Sequence, residues 1–149
     1  MQKTIGNPSS TAAYVLDSYA IMAYLEAEHG SERICSLLEA AINGDCRLFM
    51  CIINLGEVVY IVERKRGLPK VQEVLARIEE LPIEIVDADR KLTLATAHIK
   101  KDCPVAYADC FAAALAQSRN AVLITGDPEF RKIEASCNIT IEWLQNNNE

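Results

Sequence analysis

Histidine is nearly missing from this chain. Its 149 residues include two, His29 and His98, and neither belongs to a recognisable Ser-His or Cys-His arrangement. There is no GxxxxGK followed by Ser or Thr, no GxSxG, no HExxH and no GxGxxG. Phosphate-loop, hydrolase-elbow, zinc-helix and dinucleotide signatures are therefore excluded. Six cysteines occur without a CxxC pair; the nearest two, Cys46 and Cys51, have no histidine at zinc-ligand spacing. Positive charge is also short. Fifteen Lys and Arg face 21 Asp and Glu, a net charge of −6, whereas a general polyanion binder is basic. The balance leaves room for a local basic patch, or for an acidic site that works through bound cations. No apolar run approaches the ~20 residues that span a bilayer; the longest extends from Cys110 to Ala116. Met1 to Thr11 is polar, with Gly6, Pro8 and two serines, and lacks an apolar signal core. Together these absences predict a soluble cytoplasmic protein whose cysteines are reduced core residues.

Apolar residues, by contrast, are plentiful. Half the chain is hydrophobic (50%) and 24% is charged, enough to build one core without staples and too apolar for disorder. Residues 1–11 read as a flexible lead-in and 12–149 as a single domain. Ala12 to Leu16, Arg47 to Ile52, Ile83 to Val86, Ala121 to Ile124 and Ile139 to Trp143 read as strands, the last half-exposed. Helical spacing marks Ser18 to Glu28, Ser31 to Ile42, Asn54 to Arg66, Lys70 to Glu80, Asp89 to Lys101 and a segment from Pro104 to about Gln117, with a short helical turn after Pro128. Strands alternating with helices predict an α/β fold: a three-layer α/β/α sandwich around a central, mainly parallel sheet. The tail from Gln145 reads as polar and frayed.

With the familiar motifs gone, the chemistry must come from carboxylates in unusual places. Asp17 ends the first strand and Asp127 follows the fourth. In an open parallel sheet, ligands bind beyond the carboxyl ends of the strands. Helix capping accounts for each acid singly: Asp17 precedes a helix, and Asp127 precedes Pro128, a favoured first helical residue. Glu57 lies three residues after Asn54, the spacing of a capping box. Asp109 is different. It sits in Ala-Tyr-Ala-Asp-Cys-Phe-Ala-Ala-Ala-Leu-Ala, a helix apolar nearly all round. An ionised carboxylate there is costly unless it is paired or binds a metal. Its neighbours at i+3 and i+4, Ala112 and Ala113, cannot satisfy it. A partner Arg or Lys is one solution and a metal the other. Four acids without His or Cys suit hard cations, Mg²⁺ or Mn²⁺. Such a cluster activates water and stabilises an in-line displacement at phosphorus.

Four blocks carry a resemblance: Tyr-Val-Leu-Asp17-Ser, Asn-Leu-Gly-Glu57-Val, Tyr-Ala-Asp109-Cys-Phe-Ala-Ala-Ala-Leu-Ala and Leu-Ile-Thr125-Gly-Asp127-Pro-Glu-Phe. In order and spacing they resemble the PIN domain, and among PIN domains the VapC-type toxin nucleases of toxin–antitoxin pairs. The third and fourth blocks are the most specific, and the likeness runs from Tyr14 to Leu144. It implies an endoribonuclease that uses Mg²⁺ or Mn²⁺, with Asp17, Glu57, Asp109 and Asp127 as metal-binding acids. Thr125 would match the hydroxyl residue that orients a water or an acid. It also implies a small antitoxin partner and a homodimer. The lead-in before the first strand is longer than the family usually has.

RNA needs positive charge. Arg131 and Lys132, close after Asp127, are placed for phosphate contact, whereas Lys100-Lys101 reads as a solvated helix end. Arg64-Lys65-Arg66 with Lys70 is a further basic cluster. Two other classes compete with the nuclease: a non-catalytic PIN-like scaffold whose acids only cap helices, and a receiver-type α/β protein. The second is weakened because the first strand supplies one acid rather than an adjacent pair.

Overall fold

The computed structural model describes residues 11–144. The expected lead-in, apart from Thr11, and the expected frayed tail lie outside them. The elements run β1 (Ala12–Leu16), α1 (Ser18–Leu25), α2 (Ser31–Ile42), β2 (Cys46–Cys51), α3 (Ile52–Arg66), α4 (Leu68–Glu79), β3 (Ile83–Val86), α5 (Arg90–Lys100), α6 (Tyr107–Ser118), β4 (Val122–Thr125), α7 (Phe130–Ser136) and β5 (Ile141–Trp143).

Five strands form one sheet in the order β3-β2-β1-β4-β5, and every pairing is parallel. Parallel neighbours need crossover connections, which the helices provide. Strand alternation splits the core in two. Val15, Phe49, Cys51 and Leu123 point into one layer with α5, α6 and α7. Leu16, Leu48, Met50 and Ile124 point into the other with α1 to α4. The three-layer α/β/α sandwich expected from the sequence is the fold observed.

The chain starts at the centre of the sheet, builds outward through β2 and β3, then returns to the other side of β1 as β4. The winding therefore reverses between β1 and β4. At such a reversal the flanking connections diverge and leave a crevice beyond the carboxyl ends.

Three helix starts differ from expectation by two residues or more. Helix α4 begins at Leu68 rather than Lys70, with Pro69 in its first turn. Helix α3 begins at Ile52, directly after β2, so Asn54 is its third residue and not a cap. Apolar Cys51-Ile52-Ile53 hid the change from strand to helix. Helix α6 starts at Tyr107 rather than Pro104, after a short non-helical segment. Gly67 separates α3 from α4 with φ +83°, a left-handed conformation that a side chain resists. Four of the six cysteines are buried and Cys137 is half-buried, but Cys35 is exposed on α2 and is no core residue. Both histidines are exposed.

Candidate active site

Each acid is delivered to the carboxyl end of the sheet by a different element. Asp17 follows the last residue of β1, 2% exposed, and caps α1: its Oδ1 accepts from the Ala20 N–H at 2.9 Å. The capping role is real, yet it uses only one oxygen. Oδ2 faces the neighbouring strand and accepts from the Thr125 hydroxyl at 2.5 Å. Thr125 ends β4, is fully buried, and also accepts from the Asp127 N–H at 3.1 Å. One hydroxyl thus fixes Asp17 and the backbone of Asp127 together across the β1–β4 reversal. Asp127 does not cap α7, whose N-cap is Glu129; it forms a tight turn in which Oδ1 accepts from the Glu129 N–H at 3.0 Å.

Glu57 comes from α3. Its Oε1 accepts from the Ser18 hydroxyl at 3.0 Å and from the Asn54 amide at 3.3 Å. The same Asn54 nitrogen donates to the Ala108 carbonyl at 3.1 Å. Asn54 is fully buried and binds the first turn of α3 to the first turn of α6, where Asp109 sits. The capping-box reading of Asn54 and Glu57 is thereby corrected: no cap is made, because the helix has already begun. Ser18 and Asn54 were missed as contributors. Asn54 had a signal, since positions 54, 58 and 62 repeat at i+4 and all three are buried. A polar residue on that stripe faces inward. Ser18 had none beyond standing next to Asp17.

Asp109 is 8% exposed, in the first turn of α6. Among the described residues the ion pairs all lie elsewhere; no Lys or Arg pairs with Asp17, Glu57, Asp109 or Asp127. The buried cation that would have neutralised Asp109 is not there. Burial, then repulsion from Asp127, Glu57 and Glu129, pushes its carboxyl up to about 7. Asp17 is also pushed up to about 7. Burial raises it, the hydrogen bonds from Thr125 and Ala20 act against that, and Asp109 and Asp127 add repulsion. The four expected acids and Thr125 therefore share one end of the sheet. Two hydrogen-bonded sets hold three of the acids, Asp17 with Thr125 and the Asp127 N–H, and Glu57 with Ser18 and Asn54; the Asp109 carboxyl belongs to neither and feels the charge of Glu57 and Asp127.

No group of three or more His, Cys, Asp or Glu side chains among the described residues is drawn together tightly enough to grip a metal ion. Like charges with no cation between them repel, and the hydrogen bonds above hold Asp17 and Glu57 to their neighbours. The donor set itself, carboxylates and one hydroxyl with no sulfur or imidazole, fits a hard divalent cation.

The basic residues expected to meet RNA are engaged locally. The Arg131 guanidinium lies 4.8 Å from the centre of the Trp143 ring, and Lys132 pairs with Glu129 at 3.3 Å. Lys101 pairs with Asp102, and Lys100 reaches the Cys103 carbonyl at 3.4 Å, as expected of a solvated helix end.

The PIN domain family model matches residues 14–136. No curated protein is matched by sequence. Among solved structures the chain is similar to VapBC2 from Rickettsia felis bound to a DNA fragment from its promoter, with a TM-score of 0.70 at 21% identity over 89% of this chain and 99% of that one. It is similar to DNA-bound VapBC from Salmonella typhimurium, with a TM-score of 0.69 at 22% identity over 91% and 100%. A third is VapC20 from Mycobacterium tuberculosis, a toxin that cleaves the sarcin-ricin loop, with a TM-score of 0.61 at 12% identity over 79% and 92%. At these identities the likeness is one of fold.

Proposed function

Because the chain belongs to the PIN domain family, we propose that it is an endoribonuclease dependent on Mg²⁺ or Mn²⁺, the toxin of a toxin–antitoxin pair. The observation that carries this is Asp109, a buried carboxylate with no cationic partner among the described residues, close enough to Glu57 and Asp127 to feel their charge at the end of the sheet where Asp17 also lies. Such a group is costly to a domain that does not use it. These four acids would hold the cation, which when bound polarises a phosphodiester and lowers the pKa of water. The chain's own part is positional. Thr125 keeps Asp17 and the Asp127 backbone in register, Ser18 and Asn54 aim Glu57, and Asn54 fixes the turn that carries Asp109. Below pH ~7, Asp17 and Asp109 hold protons that a cation must displace.

The substrate reading, RNA, rests on the family and on the fold shared with VapC20, a toxin that cleaves the sarcin-ricin loop. The partner reading, a small antitoxin, rests on the fold shared with VapBC complexes. A homodimer acting in the cytoplasm completes the proposal. Among the described residues no helix is long and apolar enough to cross a membrane.

One observation favours a scaffold instead: Asp17 does cap α1. A Mn²⁺ titration followed by thermal melting separates the two. The nuclease predicts a saturable rise in melting temperature and cleavage of structured RNAs that chelator stops. A flat titration with no cleavage across an RNA panel leaves the scaffold.

A further inference from the structure

Gly126 links Thr125 to Asp127 just past β4. A Cβ built on it would lie 2.3 Å from Tyr19 Cε1, 2.7 Å from Cζ and 3.0 Å from Cδ1. Carbon atoms do not approach so closely, so no side chain fits at 126 unless the ring leaves. Tyr19 is the second residue of α1 and 37% exposed. The two segments that meet here carry most of the site. Tyr19 follows Asp17 and Ser18, the residue that holds Glu57. Gly126 lies between Thr125, which holds Asp17, and Asp127. The β1–β4 pairing runs up to Leu16 and Ile124, and the Thr125 hydroxyl ties the residues that follow. The ring against bare backbone adds a contact beyond that tie, at the glycine that leads into Asp127.

We propose that Tyr19 is a positioning residue: its ring, bearing on Gly126, sets where Asp127 stands relative to Asp17, Glu57 and Asp109. This rests on the carboxylate pocket being the cation site proposed above. The contact is made by ring carbons, so the hydroxyl is dispensable, and Gly126 is glycine because the ring occupies the place of a side chain. A small misplacement of a catalytic group costs up to 10²-fold in rate, which is the scale on which losing the strut should register.

The test compares wild type, Tyr19→Phe, Tyr19→Ala, Gly126→Ala and the double variant Tyr19→Ala/Gly126→Ala. Two quantities are read: the Mn²⁺ concentration giving half the maximal rise in melting temperature, and kcat and KM on an RNA that wild type cuts. Tyr19→Phe should match wild type in both. Tyr19→Ala should need several-fold more Mn²⁺ and lose kcat on the order of 10- to 100-fold, with KM little changed. Gly126→Ala, which leaves Tyr19 in the chain, should do the same by expelling the ring. The double variant should be no worse than Tyr19→Ala, because the second change then meets no clash. Wild-type Mn²⁺ response and kcat in either folded single variant overturn the inference, as does additivity in the double variant. If wild type responds to Mn²⁺ but cuts no RNA, the ribonuclease reading fails alone and the Mn²⁺ midpoints still decide on Tyr19. If wild type shows neither, both fail.

Discussion

Asp17 and Asp109 hold their protons in the fold up to about pH 7, against an ordinary carboxyl value of 3.8. Between those limits the folded protein binds more protons than the unfolded chain. Stability therefore falls as pH rises from about 4 to about 7 and levels off above, with the favourable contribution fully present at the acid end. With chelator present, the melting temperature should be higher at pH 5 than at pH 8. Asp109→Asn, which cannot ionise, should make that slope shallower; an unchanged slope would mean that Asp109 is not the buried acid described. Asn54 calls for a different measurement. Its amide is the sole side-chain tie between α3 and the Ala108 carbonyl among the described residues, while its Oδ1 is buried without a partner. Asn54→Ala removes this tie and the bond to Glu57, while the Ala108 carbonyl keeps its intrahelical partner in α6; it should lower unfolding free energy in urea by about 0.5–1.5 kcal/mol, with cleavage reduced because Glu57 and Asp109 lose their common support. A variant of wild-type stability would remove Asn54 from the framework.

Helix α6 shows why some elements were plain in the sequence. Eight consecutive residues from Asp109 to Ala116 are buried, and the run of alanines among larger apolar residues announces a helix covered on all sides. That same burial made Asp109 stand out. Ala112, Ala113 and Ala114 are at most 1% exposed, so the helix lies close against its neighbours. Ala113→Leu should cost about 1–3 kcal/mol by overpacking, measured by urea denaturation; a neutral change would point to unfilled space beside the helix. The β2–α3 junction was opaque for the opposite reason. Cys51, Ile52 and Ile53 continue an apolar run with no capping residue or glycine to punctuate it, and the strand turns straight into the helix. The error of placing Asn54 at the cap followed, and with it the misreading of Glu57. In α7 the sequence named Arg131 and Lys132 as phosphate ligands from nearness along the chain alone. Trp143, twelve residues onward, draws the arginine to β5, a tertiary contact that no local pattern announces.

At the scale of the molecule, strand order makes the site. A chain that begins at the centre of its sheet and reverses around β1 brings acids 17, 57, 109 and 127, spread over most of the sequence, to one edge. Their membership was legible from strand ends and from one buried helix; the hydrogen bonds that aim them were not, because Ser18 and Asn54 act across 39 and 54 residues. Ile42, Tyr60, Leu68 and Leu94 remain more than half exposed but are spread over helices of both layers, so the expectation of a partner rests on the proposed toxin role rather than on an apolar patch. Light scattering should therefore find a dimer or larger species, and co-expression with the protein of an adjacent small reading frame should give a stable complex; a strict monomer that captures no such protein would contradict the toxin assignment. The most direct test is cleavage of a structured RNA by wild type and by Asp109→Asn at equal concentration, with Mn²⁺ and with chelator, each protein checked by thermal melting. One cation site built from these acids predicts Mn²⁺-dependent cleavage by wild type, none by Asp109→Asn, and a variant as stable as wild type or more so without metal. A destabilised Asp109→Asn that still cuts RNA would contradict it.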